Sequence, residues 1–480
     1  MEIKDNILEI VSDVTKLTWL GILQLIEGKE DVKLKINGCR ISLETIDIPE
    51  SISGIEICDC IIDGRVEING LSQGRYISID SCFKLDIFSK IKISGSSCMS
   101  FFFNDIVSKD DDRLSLPLEI ENCQVHKFIC SSIQSPLFKD VRFLEKFQYT
   151  PIGESDKELL FFNSCVFYEG LEINLCGEKL FSLFFDKCKT KIADRYEFSA
   201  VALNLMFGGI ALLNIKDSTL NGMRFNFALK DIHNIEVRDS AIGTLEMYSA
   251  SGDNTPKEIY NFQITDSLID ELLLSHRNIV HTLRLDNTVF VNPPQLHGAN
   301  IPHGSVFPEK IRFLSRSGDS DAACYRTLRY FMESIRDREV EGIFFSLEQE
   351  SILNKQKGLS RVLSANYFYL KISEHGTNYT RPLLILLLAN VFFAIIYAVI
   401  ASPRISIGLP IDWQLLENSF LFSLKQTLQP FSSLKDLAPL PEENALSTFT
   451  CSLLGVFNSL ISVSCIALSG LALRWKFKRG

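Results

Sequence analysis

Polar side chains placed between two long apolar stretches are the first residues here with the types and spacing to do chemistry. The segment NSFLFSLKQTLQPFSSL spans residues 418–434. Ser423, Gln426, Thr427 and Gln429 supply hydroxyls and carboxamides, and Pro430 breaks any helix that carries them. Donors and acceptors at such a position are what a solute or ion path needs. They equally suit an amphipathic helix lying on a membrane surface. In the second apolar stretch, Ser452, Gly455, Asn458, Ser459 and Ser462 share one helical face with Thr448 and Ser469. A small-residue face lets membrane helices approach closely, or lines a narrow wet pathway. Cys58-Asp59-Cys60 pairs two thiols, and His297, His303 and Cys324 offer further soft ligands. No second thiol pair lies at finger spacing, so no metal is expected. Asp337-Arg338-Glu339 reads as a solvated charged turn. No phosphate-binding glycine loop, H-E-x-x-H or G-x-S-x-G is present. The expectation is a protein that is not an enzyme and uses no cofactor. A membrane-bound enzyme is the weakest alternative.

Two uncharged spans must position the polar segment. Leu383–Ile400 and Asn444–Leu473 contain no ionisable residue apart from cysteine and tyrosine. About 20 apolar residues at about 1.5 Å rise cross a bilayer core, so both qualify, with spans placed at about 382–401 and 450–473. Arg361, Lys371 and Arg381 precede the first, while Arg474, Lys476, Lys478 and Arg479 follow the second. The connection between them holds only Arg404, Lys425 and Lys435. This bias puts both termini in the cytoplasm and the hairpin loop outside. The acidic start, Met-Glu-Ile-Lys-Asp-Asn, argues against a cleaved secretory signal. The net charge of −10 argues against nucleic acid as a partner.

The remainder repeats. A pattern of apolar, any, apolar, any, polar or Gly, then a small residue ends at Cys39, Cys60, Cys82, Cys123, Cys165, Cys188, Ser218, Ser240, Ser267 and Thr288. Most intervals are about 21–23 residues, two are about 41–42, and the others are about 30 and 27. The segments 110–113, 150–156 and 252–256 read as loop insertions. Alternation ending in Asn, Asp or Ser means a short strand and a turn. One strong strand per period predicts a mainly β fold: a right-handed parallel β-helix or related solenoid. Handedness is taken from the usual preference. A pentapeptide-repeat solenoid is the nearest alternative, but no period of five is consistent. The small residues form an interior ladder at a corner, where cysteine acts as a small hydrophobe rather than as redox or metal chemistry. Of 13 cysteines, six are explained this way.

The expected organisation is an N-terminal helical cap at 1–28, the β-helix at 29–291, a Pro/Gly-rich linker at 292–318 and a helical connector at 319–381. The transmembrane hairpin with its re-entrant-like loop covers 382–473, and a basic cytoplasmic tail covers 474–480. In the cap, helical spacing runs over Asp5–Ile26; an amphipathic membrane-surface helix is the alternative. In the connector, Asp319 or Ser320 caps a helix carrying Tyr325, Leu328, Met332 and Ile335. A second stripe holds Val340, Phe344 and Leu347. A third helix is expected over Gly358–Glu374, ending at Gly376 with His375 near its negative end.

The stretch FSLKQTLQPF resembles the pore-helix region of two-transmembrane, potassium-channel-like proteins. The block YRTLRYFMESIRDREVEGIFFSLEQE, 325–350, is similar to the connector of bacterial proteins that join a repeat solenoid to such a hairpin. The resemblance covers about residues 320–480. The stretch Thr427–Phe431 lacks the glycines of a potassium filter, so potassium selectivity by backbone carbonyls is not implied. What the resemblance implies is an oligomeric pore in a bacterial inner membrane, regulated by a cytoplasmic β-helix sensor of an unknown ligand. Because one hairpin cannot enclose a pore, the chain would assemble with itself, a tetramer being one candidate. The alternative is a non-conducting anchored scaffold whose coil binds a protein or polymer.

Overall fold

The structure is a computed structural model that describes residues 3–4, 6–69, 76–80, 83–84, 90–95, 97–104, 118–131, 136–145, 147–150, 157–168, 171–175, 180–191, 201–205, 209–227, 232–249, 257–307, 312–401, 413–432 and 445–477. Cys82, the loops expected at 110–113 and 252–256, and the last residues of the basic tail lie outside the described residues. The chain forms two compact units, Met1–Ser315 and Arg316–Gly480.

The first unit is a parallel β-solenoid. Its strands join an 18-stranded sheet, an 11-stranded sheet and a 3-stranded sheet among the described residues. Successive coils pair in register, as in Ile235↔Phe262 and Phe262↔Leu283. Apolar residues at alternate positions point inward, because side chains switch faces at each strand residue. Phe138, Phe162 and Phe185 therefore stack in one interior column, at 5.0 and 5.2 Å between ring centres. Phe143 and Phe167 stack in another at 5.3 Å.

Each tight corner combines a left-handed residue with a small buried one. Asn122, Ser164, Lys187, Asp217, Asp239, Asp266 and Asn287 all have φ between 46° and 55°. The next residues, from Cys123 to Thr288, are buried. Their thiols or hydroxyls donate backwards. Ser218 Oγ reaches Lys216 O at 2.7 Å and, in the preceding coil, Phe185 O at 3.2 Å. Asn and Asp tolerate positive φ better than other non-glycine residues, so the motif spells out the turn itself.

The repeat is not one ladder, however. Cys39 and Cys60 follow strands Val32–Asn37 and Ile52–Cys58, which belong to the 18-stranded sheet. Cys123, Cys165 and Cys188 follow Leu118–Glu121, Lys157–Asn163 and Leu180–Asp186, which belong to the 11-stranded sheet. The motif thus changes corner partway along the solenoid. The long interval between Cys123 and Cys165 contains a further corner, Asp140-Val141, with φ 54° at Asp140 and Val141 buried. Valine fits the interior but breaks the small-residue pattern.

Both boundaries of the solenoid move outward from the sequence expectation. Asp5–Ile26 is not one helix: Ile7–Ile10 is a strand paired in parallel with residues 33–36, and only Lys16–Ile26 (α1) is helical. Val14 bridges Ile41, so α1 is an excursion within the first coil rather than a cap ahead of it. Strand alternation at Ile7, Leu8, Glu9 and Ile10 outweighs the helical spacing there. At the other end, Asn292–Phe307 is not a linker. Gln295, Asn300 and Val306 bridge Leu273, Asn278 and Arg284, and Arg312–Phe313 pairs with Val289–Phe290. Leu296, Ile301 and Phe307 are buried as coil residues. The prolines remove donors and so suppress regular strands, yet the path of the coil continues.

The second unit is helical: Gly318–Ile335 (α2), Arg338–Asn354 (α3), Leu359–Val362 (α4), Ala365–Ser373 (α5), Thr380–Ala401 (α6), Trp413–Leu428 (α7) and Ala445–Phe477 (α8). Ser317, not Asp319 or Ser320, occupies the N-cap of α2, with its amide donating to Asp321 Oδ2 at 2.7 Å. The turn at Asp337 is itself an N-cap, accepting from the Val340 amide at 3.2 Å, and Arg338 pairs with the buried Glu341 at 2.6 Å. The helix expected over Gly358–Glu374 breaks at Ser364, whose Oγ caps α5 through the Tyr367 amide at 3.2 Å. Thr380–Ala401 and Phe449–Arg474 are long and apolar enough to cross a membrane, with mean hydropathy 2.9 and 2.0.

Candidate functional site, a buried polar seam in the helical hairpin

Helix α6 carries one buried carboxamide, α7 and α8 each carry a polar face, and these groups meet. At the centre is Asn390, which is 5% exposed and lies within the apolar helix α6. Its Oδ1 accepts from Ser423 Oγ at 3.1 Å and from Thr427 Oγ1 at 2.9 Å, both on α7. Asn458 of α8 donates from Nδ2 to Ser423 Oγ at 3.0 Å. Thr427 Oγ1 and Ser462 Oγ lie 3.0 Å apart. Ser459 Oγ donates to Gln426 Oε1 at 3.3 Å and accepts from the Phe431 amide at 3.0 Å. Burial without partners would penalise such groups by about 1–3 kcal/mol, so these bonds make the seam a specific joint, while Asn458 Oδ1 and the Tyr397 hydroxyl have no hydrogen-bond partner among the described residues.

Helical spacing explains the convergence. Ser419, Ser423, Gln426 and Thr427 fall on one side of α7, and all four are buried. Gly455, Asn458, Ser459 and Ser462 form the matching buried face of α8, with Ser452 half-buried beyond them. Next to the seam, Phe393, Tyr397 and Cys451 form an apolar cluster with Phe422 and Leu454. The Tyr397 ring meets Phe422 edge-on at 5.0 Å, and its hydroxyl faces Asn458.

Gln429 and Pro430, by contrast, are exposed where α7 ends. Phe431 there adopts φ 65°. The outward positions of the long helices are hydrocarbon: Leu384, Leu387, Leu388 and Phe392 on α6, and Phe449, Leu453, Phe457 and Ile466 on α8.

Two residues of the site escape a reading of composition. Asn390 counts as one polar residue in an apolar span, yet three hydroxyl or amide groups organise around it or its partners. A lone carboxamide in a long apolar helix is the signal that points to it. Tyr397 reads as part of the apolar face. The other candidates are not brought together. Cys60 is buried and Cys58 half-exposed, because Asp59 at φ 52° interrupts strand alternation between them. His297 and His303 are exposed on the last coil, and Cys324 is buried in α2. Among the described residues no group of His, Cys, Asp and Glu could hold a metal ion.

Comparison with known proteins finds no matching family model, no similar curated protein and no similar solved structure.

Proposed function

We propose that this chain is a β-solenoid scaffold anchored in a membrane by a two-helix hairpin, whose coil surface binds a protein or polymer partner. One observation carries this reading: polar side chains of α6, α7 and α8 hydrogen-bond to one another within a single chain, and the outward faces are hydrocarbon. A helical unit built that way is complete as an anchor. The Lys and Arg bias around the spans puts the solenoid on the cytoplasmic side, which in a bacterium is the inner face of the inner membrane. Solenoids offer long binding surfaces made of equivalent residues on successive coils.

A second reading, an oligomeric pore regulated by the solenoid, draws on a different feature. A short helix, α7, stands between two long ones and ends at Pro430 with Gln429 exposed, the order of elements in a re-entrant pore loop. Ion flux through purified protein in liposomes separates the two. The scaffold predicts no flux from the full chain or from a chain lacking residues 1–315. Flux that Gln429→Ala or Thr427→Trp alters would overturn it in favour of the pore. Conversely, replacing the hairpin with an unrelated two-helix anchor leaves a scaffold's function intact.

A further inference from the structure

The connector helices border an open cleft of about 410 Å³ that the hairpin seam does not use. It lies among α3, α5 and the start of α6, and its walls include Arg316, Glu350, Lys371, Glu374 and Arg381. Three cations against two carboxylates leave one positive charge in excess. Arg316 pairs with Glu350 at 2.6 Å and Arg381 with Glu374 at 2.6 Å. Lys371 has no carboxylate partner among the described residues; its ammonium lies 5.7 Å from the Tyr367 ring centre. Ile343, Leu347 and Leu370 supply an apolar wall.

The place of this cleft along the chain narrows what would fill it. Arg381 sits in the first turn of α6, two residues before Leu383, where the exposed hydrocarbon face begins. Ser469 of α8 donates to Tyr379 O at 3.4 Å, so the ends of both apolar helices that carry flanking basic residues are at this level. If α6 crosses a bilayer, Lys371 and Arg381 stand at headgroup height. Guanidinium forks bind phosphate oxygens bidentately, and a lysine adds a compact point charge. Basic groups just cytoplasmic of a span attract anionic lipid.

We infer that the cleft binds the phosphate of an anionic phospholipid headgroup, with Lys371 and Arg381 as its principal ligands and Arg316 completing the set. The bound lipid locks the connector helices against the root of the hairpin. This rests on the membrane reading of α6 and α8.

Native mass spectrometry of the full chain in detergent tests it, with phosphatidylglycerol, phosphatidylcholine and inorganic phosphate as probes. The expected result is retention of phosphatidylglycerol over phosphatidylcholine, weakened about tenfold by Lys371→Gln and further by Arg381→Gln. Lys371 is exposed and has no carboxylate partner among the described residues, so its substitution leaves the fold in place. Lys357→Gln, an exposed connector lysine outside the cleft, retains the lipid like the parent. Equal retention of the two lipids, or undiminished binding by Lys371→Gln, overturns the inference. Displacement of the lipid by millimolar phosphate overturns the lipid as the source of the anion. Alkaline extraction of membranes tests the underlying reading separately. A chain released to the supernatant sinks the membrane assignment, whereas one that stays but shows no lipid preference sinks only the headgroup site.

Discussion

Asn390 and His375 are the two residues whose burial has the clearest consequences. Asn390 Oδ1 serves two hydroxyls at once, so Asn390→Leu removes a buried acceptor from both Ser423 and Thr427, which keep only the Asn390 carbonyl, Asn458 and Ser462 as closer partners. We expect a loss of about 1–2 kcal/mol in hairpin stability, measured as resistance to denaturant in detergent. Ser464→Ala, at an exposed position of α8, leaves it unchanged. His375 is 2% exposed, packs edge-on against Tyr369 at 5.4 Å, and neither ring nitrogen has a hydrogen-bond partner among the described residues. Burial pushes its pKa below the usual value, while Glu350 pulls weakly the other way. In the unfolded chain the imidazole takes up a proton near its ordinary value of about 6.5. The folded form resists that proton, so the stability associated with neutral His375 is complete above that pH and falls as the pH drops through it. Thermal unfolding followed from about pH 7.5 to about pH 5 should show this slope, and His375→Phe should flatten it. An unchanged slope would mean that other groups govern the acid side.

The corner is the element that makes the solenoid. A residue with positive φ turns the chain, and the small or apolar residue after it fills the interior. At Asp217, φ is 48°. Asp217→Val forces a β-branched side chain into the left-handed region and should destabilise the solenoid by about 1–2 kcal/mol, with Asp217→Gly nearly neutral. Equal effects of the two substitutions in urea unfolding would show that side-chain contacts, not backbone strain, matter there. A cysteine at these corners works as packing: Cys165 is fully buried, and burial raises its thiol pKa well above the ordinary value. It should react with a thiol reagent only after unfolding. Connector helices follow the same local rules, with Ser317, Asp337 and Ser364 stopping or starting them through caps.

At the scale of the whole chain, the two units have separate interiors. Residues 1–315 form one compact unit whose described coils bury aromatic columns and pair with neighbouring coils. Expressed alone, this unit should be water-soluble and unfold in its own transition, visible by far-ultraviolet circular dichroism. Because each coil touches only the next, a core truncation such as Phe162→Ala should cost about 3–5 kcal/mol and split or broaden that transition. Failure of the isolated unit to fold would show that the helical unit is needed to close its end.

The parallel solenoid is legible in the residues alone, because alternation and left-handed Asn or Asp corners are local and recur at a fixed period. So are two helices long enough to span a bilayer and the one-sided polar faces of α7 and α8. Which corner each motif occupies emerges on folding, because that depends on which strands of successive coils pair. Folding also made residues 292–307 a coil, since their bridges lie about one period away and are masked locally by proline. Asn390 became the centre of the seam for the same reason. Its partners are 33 and 37 residues along the chain, and only the docking of three helices brings them within hydrogen-bond reach.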